Sequence, residues 1–214
     1  MSELGAKILA LHHALEEAET PHALGGAISL AYAVEEARAT HDIDVNVFVP
    51  AELAGRVLDS LPTGVVVRPQ DCQAAARDGQ VRLWWDETPV DLFFNTVEFH
   101  DVAAERTQMV PFEGDRIPVL SGTDLTVCKA LFGRSKDWVD IESMRDAGSI
   151  DVAEAIRWTT AMVGADHPNA VRLAELLGAG PDEPSEGDRL PPALRPRRAT
   201  SRRRRPDGGP GPTA

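Results

Sequence analysis

Cysteine is scarce in this 214-residue chain: only Cys72 and Cys128 occur, far apart and without Cys-x-x-Cys spacing. A disulfide framework and a zinc site are therefore not expected, which suits a reducing cytoplasm. Cys128, set in an apolar helical pattern, reads as packing rather than chemistry. No stretch approaches the roughly 20 consecutive apolar residues that a membrane span needs. The first residues, Met1 to Gly5, lack a basic segment leading into an apolar one, so no secretory signal and no membrane partner are expected. There is no internal repeat. Basic residues are also few outside the C-terminal end. The formal net charge is −12, yet residues 182–214 hold eight Arg against five Asp or Glu, so the preceding part carries −15. A body that acidic argues against a broad nucleic-acid surface, because phosphate contacts need Lys and Arg. It leaves room for one local basic groove or for an acidic metal site.

What is present is the composition of an ordinary globular protein, 43% hydrophobic and 26% charged. Leu4, Ile8, Leu11 and Leu15 fall at helical spacing and predict an amphipathic helix ending near Thr20-Pro21. A short apolar segment, His22 to Leu24, runs into Gly25-Gly26, and a second helix is predicted over 27–36. Ile43, Val45, Val47 and Val49 alternate with Asp44, Asn46 and Phe48, which predicts a strand stopped by Pro50. Residues 51–61 read as helix, 65–67 as a short strand and 71–78 as a short helix. Strands over 81–85 and 90–94 are joined by Asp86-Glu87-Thr88-Pro89, a hairpin signal. Another turn is expected at Glu113-Gly114-Asp115, between short strands within 112–118. From Ser121-Gly122-Thr123-Asp124, a capping-box variant, the pattern is helical: to Phe132, then 138–146, 152–163 and 169–177. The expected fold class is α+β, a short mixed sheet flanked by helices with a C-terminal helical subdomain. The expected units are an α/β core over 1–120, a helical subdomain over 121–180 and an Arg/Pro/Gly-rich tail over 181–214. That tail has too few bulky apolar residues to offset the entropy of ordering it, so disorder is expected there.

Chemistry concentrates in two blocks. Asp42 and Asp44, at i and i+2, point to the same face of the predicted strand. Carboxylates that close repel and raise one another's pKa unless a cation lies between them. Mg²⁺ suits such a place, taking hard oxygen ligands from one or two carboxylates and from substrate phosphates. Upstream, Gly25-Gly26 opens a helix, where backbone can approach a phosphate and helix N–H groups face it. Ser29 adds a hydroxyl. A third carboxylate, Asp91, stands alone in the apolar run Val90 to Phe94, and must reach either a metal or a donor.

These residues carry a resemblance. A Gly-Gly turn, a helix, Asp-Ile-Asp and a later single Asp on a strand resemble the DNA polymerase β-like nucleotidyltransferase superfamily. More narrowly, Gly25-Gly26-x-x-Ser29, Arg38-x-Thr40-x-Asp42-Ile43-Asp44 and Val90-Asp91-Leu92 resemble the AbiEii-type toxins of bacterial toxin–antitoxin systems. Lys129 together with Arg134-Ser135-Lys136-Asp137-Trp138-Val139-Asp140 is similar to a downstream motif of that family. The likeness spans roughly residues 22–145. It implies Asp42, Asp44 and Asp91 as metal ligands and catalytic groups with Mg²⁺, and Lys129 on phosphate or nucleotide. It further implies that Gly25, Gly26, Ser29, Arg38, Thr40, Lys136, Asp137 and Asp140 line the nucleotide site. The implied activity is NMP transfer from an NTP to an acceptor such as tRNA or a protein hydroxyl, by a toxin with a cognate antitoxin.

Plainer readings stand beside these. An Asp-x-Asp pair can cap a nearby helix, and a Gly pair is usually a turn. Asp137 and Asp140 lie close enough to Arg134 and Lys136 for ordinary helix ion pairs. Lys129 can be a lysine whose stem lies along apolar surface. Trp84-Trp85 puts one indole on each strand face, one in the core and one able to stack. Arg195, Arg197, Arg198 and Arg202 to Arg205 form either a solvated tail or a tether for RNA. Two other functions fit the same residues: transfer to a cationic small molecule of aminoglycoside type, and a non-catalytic binding partner or antitoxin.

Overall fold

Period-two alternation and helical spacing translate into a seven-stranded mixed sheet covered by helices on both faces. The structure, a computed structural model, describes residues 2–178; the expectations for the Arg-rich tail lie outside them. In chain order the elements begin with α1 (Glu3–Glu17), β1 (His22–Leu24), α2 (Gly26–Ala33) and β2 (Ile43–Pro50). A 3-10 turn (Ala51–Leu53), α3 (Ala54–Asp59), β3 (Val65–Val66) and α4 (Pro69–Asp78) follow. Then come β4 (Gln80–Trp85), β5 (Thr88–Asn95), α5 (Glu98–Glu105), β6 (Gln108–Phe112) and β7 (Asp115–Val119). The chain continues helical through α6 (Gly122–Phe132), α7 (Ser135–Asp146), α8 (Val152–Val163) and α9 (Pro168–Leu176).

The strand order is β3-β4-β5-β2-β1-β7-β6. β2 runs parallel to β5 and antiparallel to β1, so the expected mixed sheet forms, with more strands than a short sheet. On one face Ile43, Val45, Val47, Leu83, Val90, Leu92 and Phe94 build a core with Ile8, Leu11 and Leu15 of α1, Val57 and Leu58 of α3 and Ala75 of α4. The other face and its helices hold a second core: Leu30, Phe99, Leu125, Val127, Trp138, Ile141, Met144 and Trp158, with Phe48 packed against it. Because strand side chains alternate, Asp44, Asn46, Asp91 and Phe93 point toward that second side. The acidic residues thus lie between the sheet and the C-terminal helices. Burial pushes the Cys128 thiol up to about 12, in keeping with a packing role.

Several boundaries differ from the sequence reading. α2 stops at Ala33 rather than Glu36, and Glu35 takes φ +55 in the loop that follows. The helix expected over 51–61 is split into the 3-10 turn and α3. α5 has no clear sequence signal: its buried side includes Phe99 and Ala103, one turn apart among polar residues, too short a pattern to stand out. The β4–β5 connection is two residues, Asp86-Glu87, rather than four, with Asp86 at φ +52. This changes the pairing: a four-residue loop closing on Trp85 and Val90 would set Asp91 opposite Trp84, whereas the tighter turn sets it opposite Arg82.

Candidate active site

Three strands align the charged side chains. Asp44 of β2 lies directly opposite Asp91 of β5, and Asp91 directly opposite Arg82 of β4. Asp42 immediately precedes β2, and Thr40 holds it there: the Thr40 hydroxyl lies 3.1 Å from Asp42 Oδ1 and 3.0 Å from the Asp42 carbonyl. The carboxylates feel one another. Burial first, then Asp91 and Asp42, push the Asp44 carboxyl up to about 6, with Lys129 and Lys136 opposing.

Gly25-Gly26 forms the wall beside Asp44. The Gly25 amide donates to the Asp44 carbonyl at 2.8 Å, fixing the turn onto β2. Gly26 has φ +51, and a Cβ there would lie 1.8 Å from Asp44 Oδ2. A Cβ on Gly25 would meet the Asn46 amide at 2.7 Å. Glycine is therefore required at 26 for both space and conformation, while a side chain at 25 would push the Asn46 amide aside. α2 starts at Gly26 with no side-chain cap, so its first N–H groups have no intrahelical acceptor. Ser29 is withdrawn from the site: it is buried and donates its hydroxyl to the Leu120 carbonyl at 2.9 Å, tying α2 to the chain after β7. Arg38 has a buried Nε with no hydrogen-bond partner among the described residues, while one Nη sits 4.0 Å from Glu36.

The helical side supplies cations and their partners. Lys129 of α6 is 7% exposed, and its ammonium contacts Asp140 at 2.6 Å and Asp137 at 3.8 Å. Arg134, the N-cap of α7, forks onto fully buried Asp137 at 2.7 and 3.0 Å. The plainer reading of a helix ion pair describes Asp137, which Arg134 engages at the start of α7, whereas Asp140 pairs with Lys129 and so joins α7 to α6. Lys136 is exposed and, with Lys129, lies within electrostatic reach of Asp44. Phe93 of β5 meets half-exposed Phe132 edge-on, 6.0 Å between ring centres, and the Arg134 guanidinium covers Phe132 at 4.9 Å. Trp84 is the exposed indole of its pair, on the same sheet face as Arg82.

Asp91 takes the second of its two expected fates. Arg82 donates Nε to Oδ1 at 2.7 Å and Nη2 to Oδ2 at 2.6 Å. Asp44 and Asp91 are thus neighbours in register, with Asp42 just upstream of β2, while Arg82 holds the Asp91 carboxylate. Among the described residues no three acidic, His or Cys side chains are disposed to share an ion in this conformation. The donor set nevertheless fits a hard divalent cation. No ion pair or hydrogen bond reaches the Asp44 carboxylate from the described residues, and a cation would offset both the burial and the carboxylate repulsion that raise its pKa. Arg82 is absent from the residues that the sequence singles out; the two-residue turn Asp86-Glu87 is the signal that would have found it.

The class this arrangement defines is the nucleotidyltransferase fold. The chain is similar to the solution structure of the antibiotic-resistance factor ANT(2'')-Ia, with TM-score 0.53 and 15% identity over 74% of this chain and 90% of that one. It is also similar to the crystal structure of ANT(2'')-Ia in complex with adenylyl-2''-tobramycin, with TM-score 0.50 and 14% identity over 83% and 97%. At such identities the likeness is one of fold. No protein-family model matches the chain, and no curated protein does. Among the described residues no helix is long and apolar enough to cross a membrane.

Proposed function

We propose that this protein is a Mg²⁺-dependent nucleotidyltransferase that moves NMP from an NTP to a nucleophilic acceptor. The observation that carries the reading is the cross-strand register of Asp44 and Asp91, with Asp42 two residues upstream and the Gly25-Gly26 turn against Asp44. Asp42, Asp44 and Asp91 would hold the metal. When bound, Mg²⁺ would neutralise phosphate charge and make the acceptor hydroxyl a better nucleophile. The remaining work falls to the chain. The first N–H groups of α2 and the Arg38 guanidinium receive the triphosphate, an anion at a helix N-terminus. Lys129, Lys136 and Arg134 offset its charge from the helical side. Asp91 takes the acceptor's proton, and pyrophosphate leaves in line. Glycine at 26 lets Asp44 sit against the helix start, where its carboxylate would hold the metal beside the triphosphate.

For the acceptor, the first reading is tRNA or a protein hydroxyl, with the protein a cytoplasmic AbiEii-like toxin held by an antitoxin. A cationic small molecule is the second reading. It is favoured by the net charge of −12 and by the similarity to an antibiotic-resistance factor whose crystal complex contains an adenylylated aminoglycoside. The alternative of a non-catalytic partner is disfavoured by the in-register Asp44 and Asp91. Incubation with each labelled NTP, Mg²⁺, total tRNA, lysate protein and tobramycin identifies the acceptor by which fraction takes up label. The Asp42→Asn/Asp44→Asn double variant is expected to transfer none; undiminished labelling by it would overturn the site assignment.

A further inference from the structure

Arg82 has no part in the roles above, yet it is the group that engages Asp91. Arg82, Asp91 and Asp44 form one row across β4, β5 and β2 on the face opposite Val90 and Leu92. Among the described residues the other Arg–carboxylate forks onto both oxygens, Arg77–Asp78, Arg134–Asp137 and Arg157–Glu154, join neighbours within a single helical segment. This one crosses between strands and occupies both oxygens of a residue on which the reaction depends.

Resting on that metal-site reading, we propose that Arg82 is a positioning residue that clamps Asp91 in the cation-free enzyme, and that a divalent cation must displace it before Asp91 can serve the reaction. The two partners differ in freedom. The Asp91 side chain is 13% exposed and held within the sheet, whereas the Arg82 side chain is 56% exposed. Arg82 can therefore leave into solvent and be rehydrated, while Asp91 stays where Asp44 faces it. Displacement is feasible because the guanidinium end of the pair is open to water and loses little by leaving, and a dication beside three carboxylates gains more than a single guanidinium does. Until the cation arrives, the fork holds the Asp91 carboxylate in one orientation and spares it unrelieved repulsion from Asp44.

A cross-strand pair that only stabilised the sheet would, on removal, lower stability and leave cation affinity alone. The clamp predicts that removal raises affinity. Mn²⁺ titration of the full chain without nucleotide, followed by the EPR signal of free Mn²⁺, separates the two. Arg82→Met is expected to bind Mn²⁺ about five- to tenfold more tightly than the unmodified protein, with Arg82→Lys, a single-pronged donor, between them. The gain should vanish when Asp91→Asn is added. In transfer assays the Mn²⁺ concentration giving half-maximal rate should fall in Arg82→Met without a rise in kcat. Binding that requires Asp42 and Asp44 but is indifferent to, or weakened by, the change at 82 overturns the clamp alone. Absence of Mn²⁺ binding sensitive to Asp42→Asn in either form overturns the metal-site reading and the clamp with it. Should Arg82→Met fold poorly, Arg82→Lys retains charge and stem and carries the same comparison.

Discussion

Gly26 leaves no room for a side chain, and that single fact couples stability to the site. At φ +51 an L-residue costs on the order of 1–2 kcal/mol, and its Cβ would also overlap the Asp44 carboxylate. Gly148 has a comparable φ of +69, but a Cβ there would meet nothing within 4 Å. Gly26→Ala should therefore lose clearly more stability than Gly148→Ala in urea unfolding, and only Gly26→Ala should abolish transfer. Equal losses would mean that Asp44 moves aside without cost. Lys129 poses the complementary question, because its ammonium is engaged by Asp140 and Asp137 as well as facing Asp44. Lys129→Met leaves fully buried Asp137 with Arg134 only, so a loss of about 1–3 kcal/mol is expected from the weakened compensation of a buried acid. A double-mutant cycle with Asp140→Asn measures how much of that loss belongs to the pair. An additional drop in kcat in Lys129→Met that Asp140→Asn does not share would mark its direct service to the phosphates.

Between helices, Glu154 is the principal connector. It is the carboxylate of α8 that receives Arg157 at 2.8 and 2.9 Å, the Trp158 indole at 3.2 Å and Arg106, which follows α5 and also reaches Asp124 of α6. Arg157 and then Arg106 hold the Glu154 carboxyl down to about 2, against 4.5 ordinarily. A depressed carboxylate contributes stability above its unfolded value and loses it as pH falls through the folded one. Glu154→Gln should thus be less stable at neutral pH, by on the order of 1 kcal/mol given the partial exposure of the pairs. The gap from the unmodified protein should close between pH 4.5 and 2. A gap that stays constant over that range in thermal melts would show that charge on Glu154 contributes nothing to holding α8.

For the molecule as a whole, two cores back to back on one sheet leave the acidic row on the second face, between sheet and C-terminal helices, inside a chain of net charge −12. A ligand that binds only the folded state stabilises it by mass action, about 2.7 kcal/mol at a hundredfold excess over Kd. Millimolar Mn²⁺ should therefore raise the melting temperature of the unmodified protein and leave that of Asp42→Asn/Asp44→Asn unchanged. Equal shifts in both would assign the effect to diffuse screening of the acidic surface instead.

Local pattern carried much of this protein. The period of two in Ile43 to Val49 specified β2 and put Asp44 on the face opposite Ile43 and Val45, because strand geometry leaves side chains no third direction. Helical spacing located α1 and its apolar side, and the stretches of α6, α8 and α9. Gly25-Gly26 announced a turn into a helix. The tertiary structure decided the rest, since those facts are relations between segments distant along the chain. Asp91 meets Asp44 through the β2–β5 register, Arg82 meets Asp91 through a turn two residues shorter than its sequence suggested, and Ser29 is drawn to the Leu120 carbonyl. A hydroxyl, a carboxylate or a guanidinium takes whichever partner packing brings within reach, and packing is a property of the whole chain.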